Sequence, residues 1–233
     1  MSLNGKYALG ILLTFVFLAA AMLYAFPLIY SVTGVKAFTA TNFLYTRLAL
    51  WTVLLLIFLY NFFLEKHPFL LWKEKKYPIL FYLKAIVSLY IISAFGGAFL
   101  NLIIQVFAQE NVSRKVIQIA SLFRNNYLLI ISICLTAGVV EELLMRGYIQ
   151  PRIEKIYNNQ YLGIFVSAAL FGILHSTYGT IGQVVIPFFI GIVFAVFYKL
   201  YSNIKILIIS HFMYDFVSMM IMNFMDIKHL SAF

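Results

Sequence analysis

Charged side chains are scarce in this chain of 233 residues, where Asp, Glu, Lys and Arg together make up only 11%. About a quarter of the residues of a typical soluble domain are charged, so this protein cannot cover its surface with polar groups. Hydrophobic residues make up 64% of the sequence, and the mean hydropathy is +0.95. These proportions exclude a soluble enzyme and predict a protein whose natural solvent is a lipid bilayer.

Acidic residues and cysteine are scarcer still. Eight acidic residues against seventeen basic ones leave a net charge of +9. The basic residues stand singly between apolar runs instead of gathering on one face, so nucleic acid is not an expected partner. The single cysteine, Cys134, excludes an intrachain disulfide and a cysteine-rich metal site. The 24 Phe and 16 Tyr residues exclude a disordered chain.

Long apolar runs fill most of the sequence. A membrane-spanning helix needs about 20 mainly apolar residues. Seven segments meet this condition, at residues 7–32, 45–64, 79–108, 126–149, 161–176, 181–201 and 204–224. The adjacent Gly96 and Gly97 could break the third segment into two. We therefore predict an all-α integral membrane protein, a polytopic bundle of about seven to eight transmembrane helices with a buried active site.

The connecting segments carry most of the charges. Residues 65–77 mix Glu65 and several lysines with aromatic residues, which is typical of a membrane interface. Acidic residues in such connections are expected to cost little free energy. Residues 109–125 predict an amphipathic helix lying along the membrane surface. Its apolar face would consist of Val112, Val116, Ile119 and Phe123.

Ionisable side chains inside the apolar segments need a different explanation. Such groups cost about 2.5 kcal/mol or more near the bilayer centre, so they must face a protein interior or a wet cavity and find partners there. Three of the predicted spans contain them: Glu141, Glu142, Arg146, His175, His211 and Asp215. These residues are the candidate functional site.

Helix geometry separates the first three of these residues. Glu142 and Arg146 are spaced i, i+4 with the acid first, so they share a helix face and can form an ion pair. Glu141 points about 100° away from Glu142 and cannot use Arg146 equally well. We interpret the pair of Glu142 and Arg146 as support and Glu141 as the free carboxylate.

The two histidines suggest hydrolytic chemistry. His211 and Asp215 are also spaced i, i+4, so an ionised Asp215 could accept a hydrogen bond from one ring nitrogen and fix the tautomer of His211. Glu141, with His175, could remove a proton from water, while His211 stabilises the oxyanion of a tetrahedral intermediate. Neither G-x-S-x-G nor H-E-x-x-H occurs, so the motifs of serine hydrolases and zinc peptidases are missing.

Three short motifs carry a family resemblance. Glu141-Glu142-x-x-x-Arg146, Phe171-x-x-x-His175 and His211-x-x-x-Asp215 resemble, in order and spacing, the motifs of the CPBP family. This is the CAAX-protease and bacteriocin-processing group, also called Abi. The resemblance suggests three regions: N-terminal transmembrane helices and interfacial segments (1–125), a catalytic core (126–224) and a short tail (225–233).

The resemblance implies an intramembrane endopeptidase of the glutamate type that uses no cofactor. By this similarity, Glu141 and His175 would activate water, and His211 and Asp215 would line the oxyanion site. Glu142 and Arg146 would support them. The eukaryotic-type CAAX endopeptidases have Asn where this sequence has Asp215, which weakens the prediction of a prenylated substrate more than the prediction of a protease.

Other interpretations stay open. Two histidines and a glutamate can also hold a catalytic zinc ion with an open position, and zinc is the alternative to a metal-free mechanism. The same residues could form a structural network in a non-catalytic membrane partner, such as a bacteriocin self-immunity protein or a sensor scaffold. The expected partners are the lipid bilayer and a peptide or membrane-protein substrate. The small size and the lack of a eukaryotic sorting tail favour a bacterial plasma membrane.

Overall fold

A computed structural model describes residues 1–34 and 38–224, which form helices, turns and loops and contain no β-strand. Seven helices within these ranges are long and apolar enough to cross a membrane. This confirms the predicted all-helical integral membrane bundle and gives the lower of the two predicted counts. The predicted tail, 225–233, lies outside the described residues.

The helices follow one another with short connections. Their bounds are α1 Leu3–Thr33, α2 Ala40–Tyr60, α3 Ile79–Ala108, α4 Arg114–Phe123, α5 Tyr127–Thr136, α6 Gln150–Tyr157, α7 Gln160–Leu174, α8 Gly182–Tyr201 and α9 Ile204–Phe224. A π-helical turn, Asn61–Glu65, extends α2, and two π-helical stretches, Ala137–Glu141 and Leu143–Ile149, join α5 to α6. A 3₁₀ turn, His175–Tyr178, follows α7.

The continuous helix Tyr127–Tyr157, which combines α5, the π-helical stretches and α6, is the centre of the bundle. In its most apolar stretch 61% of the residues are buried, against 17–28% in the other six spanning helices. The outer helices instead expose large apolar side chains such as Leu12, Phe95 and Phe107. This distribution fits a bundle whose outer surface contacts lipid and whose polar groups face inwards.

The third span is not split. Helix α3 runs without interruption through Gly96 and Gly97. A Cβ atom on Gly96 would overlap the ring of Phe189 in α8, and one on Gly97 would lie 3.3 Å from Ile186. The two glycines therefore allow α8 to pack closely against α3, and this close packing replaces the predicted break.

The amphipathic segment between the third and fourth spans forms a helix shorter than predicted, α4, and Val112 of the predicted apolar face precedes it and is exposed. The hydroxyl of Ser113 accepts a hydrogen bond from the backbone N–H of Val116 and so caps its first turn. Ile119 and Phe123 are buried, whereas Arg114 is exposed. The amphipathic pattern is therefore used for packing against the bundle, and the position of α4 at the membrane surface stays a prediction.

The expectation for Glu65 was wrong. Its side chain is buried, and its Oε2 atom lies 2.6 Å from Nη2 of Arg152, which is also buried. The π-helical turn that extends α2 carries Glu65 into the bundle, where it meets the end of the central helix. This acid therefore belongs to an internal ion pair and not to a solvated connection.

Candidate active site

The predicted ion pair on the central helix is present. Nη1 of Arg146 donates to Oε1 of Glu142 at 2.8 Å, and both side chains are fully buried. The guanidinium carbon of Arg146 lies 4.5 Å from the ring centroid of Phe171 and 5.7 Å from that of Phe194. A buried ion pair flanked by aromatic faces fixes the position of the Glu142 carboxylate.

Glu142 has a second partner that helix periodicity did not predict. Nδ1 of His211 donates to the same Oε1 atom at 2.7 Å. Close approach of α9 makes this contact possible, because a Cβ on Gly138 would lie only 2.8 Å from the carbonyl oxygen of Ile208. The sequence does carry a signal for this approach, since Gly138 lies one turn before Glu142. It does not say which residue the approach brings to Glu142.

The other ring nitrogen of His211 faces two more carboxylates. Nε2 lies 3.5 Å from Oδ2 of Asp215 and 3.9 Å from Oε2 of Glu141. The predicted proximity of Asp215 is thus present, but at ion-pair distance and not at hydrogen-bond distance. Glu142, and not Asp215, makes the hydrogen bond that orients the ring of His211.

His175, in the turn that follows α7, is oriented by the backbone of that helix. Its Nδ1 atom lies 2.8 Å from the carbonyl oxygen of Phe171, which can only accept a hydrogen bond. In the neutral ring, Nδ1 therefore carries the proton and Nε2 keeps a free lone pair. The ring also packs against Phe171 at a centroid distance of 4.7 Å. This tautomer suits a proton acceptor.

One cavity brings the four candidate catalytic residues together. It has a volume of about 330 Å³ and is lined by Glu141, His175, His211 and Asp215. The side chains of Glu141 and Asp215 are 20% and 22% exposed, so each is only partly accessible to solvent. The rest of the wall is mainly apolar and is contributed by α2, α4, α5, α7, α8 and α9. The four residues of the predicted site thus line one partly open cavity in the bundle.

A second, smaller cavity adjoins this one. Its volume is about 100 Å³, and it shares Glu141, His175, Phe171 and Tyr178 with the larger cavity. Arg47 of α2 lines both. Sequence reasoning did not single out Arg47, although a cation within the second predicted span is the kind of signal that marks a functional residue.

The question of a metal was also left open by the sequence. Within residues 1–34 and 38–224, no group of three or more His, Cys, Asp or Glu side chains has an arrangement that could hold a metal ion. The carboxylates of Glu141, Glu142 and Asp215 lie within 4.0 Å of His211 without forming such a group. Metal dependence stays a prediction that requires a direct measurement.

Comparison with known proteins bears on the segment that carries these motifs. Residues 123–217, less than half of the chain, match the family model of the type II CAAX prenyl endopeptidase Rce1-like proteins. Neither the curated proteins nor the solved structures include a significant match. The matched segment contains all three motifs, from Glu141 to Asp215. The match confirms the resemblance to the CPBP family and identifies residues 123–217 as a CAAX-protease-like segment of an integral membrane protein.

Proposed function

We propose that this protein is an intramembrane endopeptidase that hydrolyses a peptide bond with a water molecule activated by Glu141 and His175. One observation supports this proposal above the others: Glu141, His175, His211 and Asp215 line a single cavity of about 330 Å³ within the helix bundle. A cavity of this size within the bundle has space for the scissile peptide bond and an attacking water molecule. Hydrolysis in this setting needs no serine or cysteine nucleophile.

The reaction would begin with proton removal from water. Nε2 of His175 has a free lone pair because Nδ1 is committed to the carbonyl of Phe171. Glu141 makes no hydrogen bond to any residue of the described ranges and lies at the cavity wall. One of these two groups takes the proton, and the hydroxide oxygen bonds to the carbonyl carbon of the substrate. The π electrons of that carbonyl then move onto its oxygen.

His211 would stabilise the negative oxygen that results. The hydrogen bond from Nδ1 to Glu142 holds the ring, and Nε2 faces the side of the cavity that Asp215 and Glu141 line. A protonated His211 can donate Nε2–H to the oxyanion, and a protonated Asp215 at the same wall can offer a second donor. Donors that are oriented in advance in a dry site cost no reorganisation during the reaction. Glu142 and Arg146 are positioning residues in this scheme.

Collapse of the intermediate completes the reaction. The electron pair on the oxyanion re-forms the carbonyl, the C–N bond breaks, and the departing nitrogen receives the proton that Glu141 or His175 had taken. The products are one peptide with a new carboxyl group and one with a new amino group. Proton gain and loss balance within the site, and this scheme requires no cofactor.

Glu141→Gln tests the function directly. This change is nearly isosteric and removes the base while keeping the size of the side chain. We expect membranes of cells with the variant to accumulate uncleaved peptides that are absent from the wild type, as measured by mass spectrometry. Glu154→Gln is the matched control. Glu154 lies in the last turn of the same helix, pairs with Lys199 and does not line the cavity. Identical peptide profiles for wild type and Glu141→Gln would favour the non-catalytic alternative.

A further inference from the structure

Arg47 lies beside the proposed site and has no part in the proposed mechanism. It belongs to the spanning helix that starts at Ala40, about 10 Å along the axis from its first residue. Its side chain lines both cavities, which meet at Glu141 and His175. Arg47 therefore borders the space that the scissile peptide bond would occupy.

The partners of Arg47 leave its charge unpaired within residues 1–34 and 38–224. Nε and Nη2 donate to the hydroxyl of Thr46 at 3.1 and 2.8 Å, and the guanidinium carbon lies 4.9 Å from the ring centroid of Phe43. No carboxylate in these ranges comes within 4.0 Å of it. Glu141 lines the same cavities without forming an ion pair with Arg47.

The two other arginines within the spanning helices behave differently. Arg146 binds Glu142 at 2.8 Å, and Arg152 binds Glu65 at 2.6 Å. Both pairs are fully buried, as expected for charges that a membrane protein must neutralise internally. In the described part of the chain no carboxylate lies within 4.0 Å of Arg47, and its side chain lines a cavity where an anion could bind.

The geometry points to Arg47 as the group that binds a carboxylate of the substrate beside the scissile bond; this inference rests on the proposed peptidase function. Two of the five guanidinium N–H bonds are used by Thr46, and the remaining three can meet a carboxylate in the paired geometry that arginine favours. The apolar wall would hold the neighbouring apolar residues. The substrate would thus be a membrane-associated peptide with a carboxylate at its C-terminus or on an acidic side chain.

Lys115 adds a second positive charge near the same place. It lines the smaller cavity together with Arg47 and Glu141. Its Nζ atom donates to the carbonyl oxygen of Thr177 at 2.9 Å and lies 5.4 Å from the ring centroid of Tyr178. Burial lowers the pKa of Lys115, and an anion bound nearby would raise this pKa again.

A binding experiment tests the inference without requiring cleavage. The probe is N-dodecanoyl-leucine, which joins an apolar chain to a carboxylate, compared with the uncharged N-dodecanoyl-leucinamide. The purified protein in detergent should bind the acid roughly tenfold or more tightly than the amide, because hydrogen bonds to charged groups are strong in such sites. Arg47→Gln should abolish this preference, and Arg114→Gln should keep it, because Arg114 is exposed on α4. Equal binding of both probes to the wild type would overturn the inference.

A cleavage experiment separates the two possible sources of the carboxylate. Internally quenched peptide libraries are prepared with free or amidated C-termini and with Asp and Glu either kept or replaced by Asn and Gln. Arg47→Gln should raise KM at least tenfold for the carboxylate-bearing form that the wild type prefers, and leave the other forms unchanged. Arg47→Lys keeps the positive charge but not the paired N–H donors of the guanidinium, so its KM should rise less than that of Arg47→Gln. This variant is used if the Gln variant folds poorly.

A different outcome would assign Arg47 to another role. If Arg47→Gln lowers kcat equally for acidic and neutral peptides, then Arg47 acts on Glu141 and not on the substrate, and the inference is wrong. If no peptide is cleaved by the wild type but the acid probe still binds through Arg47, the peptidase proposal fails while the anion site stands. The two proposals can therefore fail separately.

Discussion

At the scale of single residues, adjacent glutamates on one helix have different surroundings and therefore different expected roles. One carboxylate oxygen of Glu142 accepts hydrogen bonds from both Arg146 and His211, and the residue is fully buried. Glu141 is partly exposed to the cavity, and its nearest ionic partner in the described part of the chain is His211 at 3.9 Å. The difference predicts that the same substitution will affect stability at Glu142 and activity at Glu141.

We expect Glu142→Gln to unfold more easily than the wild type and Glu141→Gln to melt normally while losing activity. Removing one partner of a buried ion pair typically costs about 3–5 kcal/mol, because the other charge is left without compensation. Thermal melting in detergent and peptide cleavage, measured on both variants, check this prediction. Equal loss of melting temperature together with retained activity in Glu141→Gln would show that the two roles are wrongly assigned.

Asp215 is expected to tolerate replacement by Asn. The ring of His211 is oriented by Glu142, so Asp215 is not needed for that purpose, and an amide at this position could donate to the oxyanion itself. Asp215→Asn should keep activity within about tenfold of the wild type, because its amide replaces the donor that a protonated Asp215 offers to the oxyanion. Asp215→Ala offers no donor and should lose about 10²–10³ in rate. A pH–rate profile of both variants is the measurement. An inactive Asn variant would restore the orienting role that the i, i+4 spacing suggests.

The proposed chemistry also predicts independence from metals. Purified protein should contain far less than one zinc ion per chain, and its activity should survive a strong chelator. Elemental analysis and cleavage assays before and after chelation provide the test. One tightly bound zinc per chain, lost together with activity, would make Glu141, His175 and His211 ligands instead of acid–base groups.

At the scale of helices, the site depends on the close approach of α9 to the central helix. The π-helical stretches meet at Glu141 and Glu142, and such irregular helical turns are frequent at functional sites. Gly138 lies in the first of them, where a Cβ would meet the backbone carbonyl of Ile208 at 2.8 Å and the backbone nitrogen of Phe212 at 3.2 Å. Backbone atoms cannot rotate aside, so the helix itself would have to move.

Gly138→Ala should therefore separate His211 from Glu142 and reduce cleavage by at least tenfold, the effect expected for a misplacement of about 1 Å. Gly5→Ala is a suitable control, because the Cβ there meets mainly the flexible side chain of Met1. Activity is measured at a temperature where both variants are folded. Normal activity in Gly138→Ala would show that the helix contact is not needed to hold the site.

At the scale of the whole molecule, a buried network ties the N-terminal helices to the motif-bearing segment. Arg152 donates to both Glu65 and Asn61, and the hydroxyl of Tyr148 donates to Glu65. The cavity wall likewise combines Arg47 of α2 with residues of α7 and α9. The N-terminal helices and the motif-bearing segment therefore share their core and their site.

Arg152→Met should lower stability without changing the chemistry of the folded fraction. The substitution leaves Glu65 buried without its cation, which costs about 3–5 kcal/mol. Lys199→Met is the matched control, because its pair with Glu154 is partly exposed and contributes about 1 kcal/mol or less. Melting curves and cleavage per folded molecule distinguish the two effects. A melting temperature equal to that of the control would show that the network does not hold the bundle together.

Short-range rules were enough for part of this protein. The apolar runs predicted seven spanning helices, because a helix that crosses a bilayer must be apolar over about 20 residues whatever surrounds it. The i, i+4 spacing predicted the pair of Glu142 and Arg146 and the proximity of His211 and Asp215, since helix geometry alone sets those distances. The π-helical turns did not disturb these neighbours.

Contacts between side chains on different helices depend on tertiary structure, and local rules do not predict them. The contact of Glu142 with His211 spans 69 residues and that of Glu65 with Arg152 spans 87, so both depend on which helices pack together. Arg47 faces the cavity because of how α2 is turned towards α7 and the central helix. Within one helix the backbone fixes the spacing of side chains. Between helices, the distances between side chains depend on how the whole bundle packs. The order of residues along the chain does not determine these distances directly.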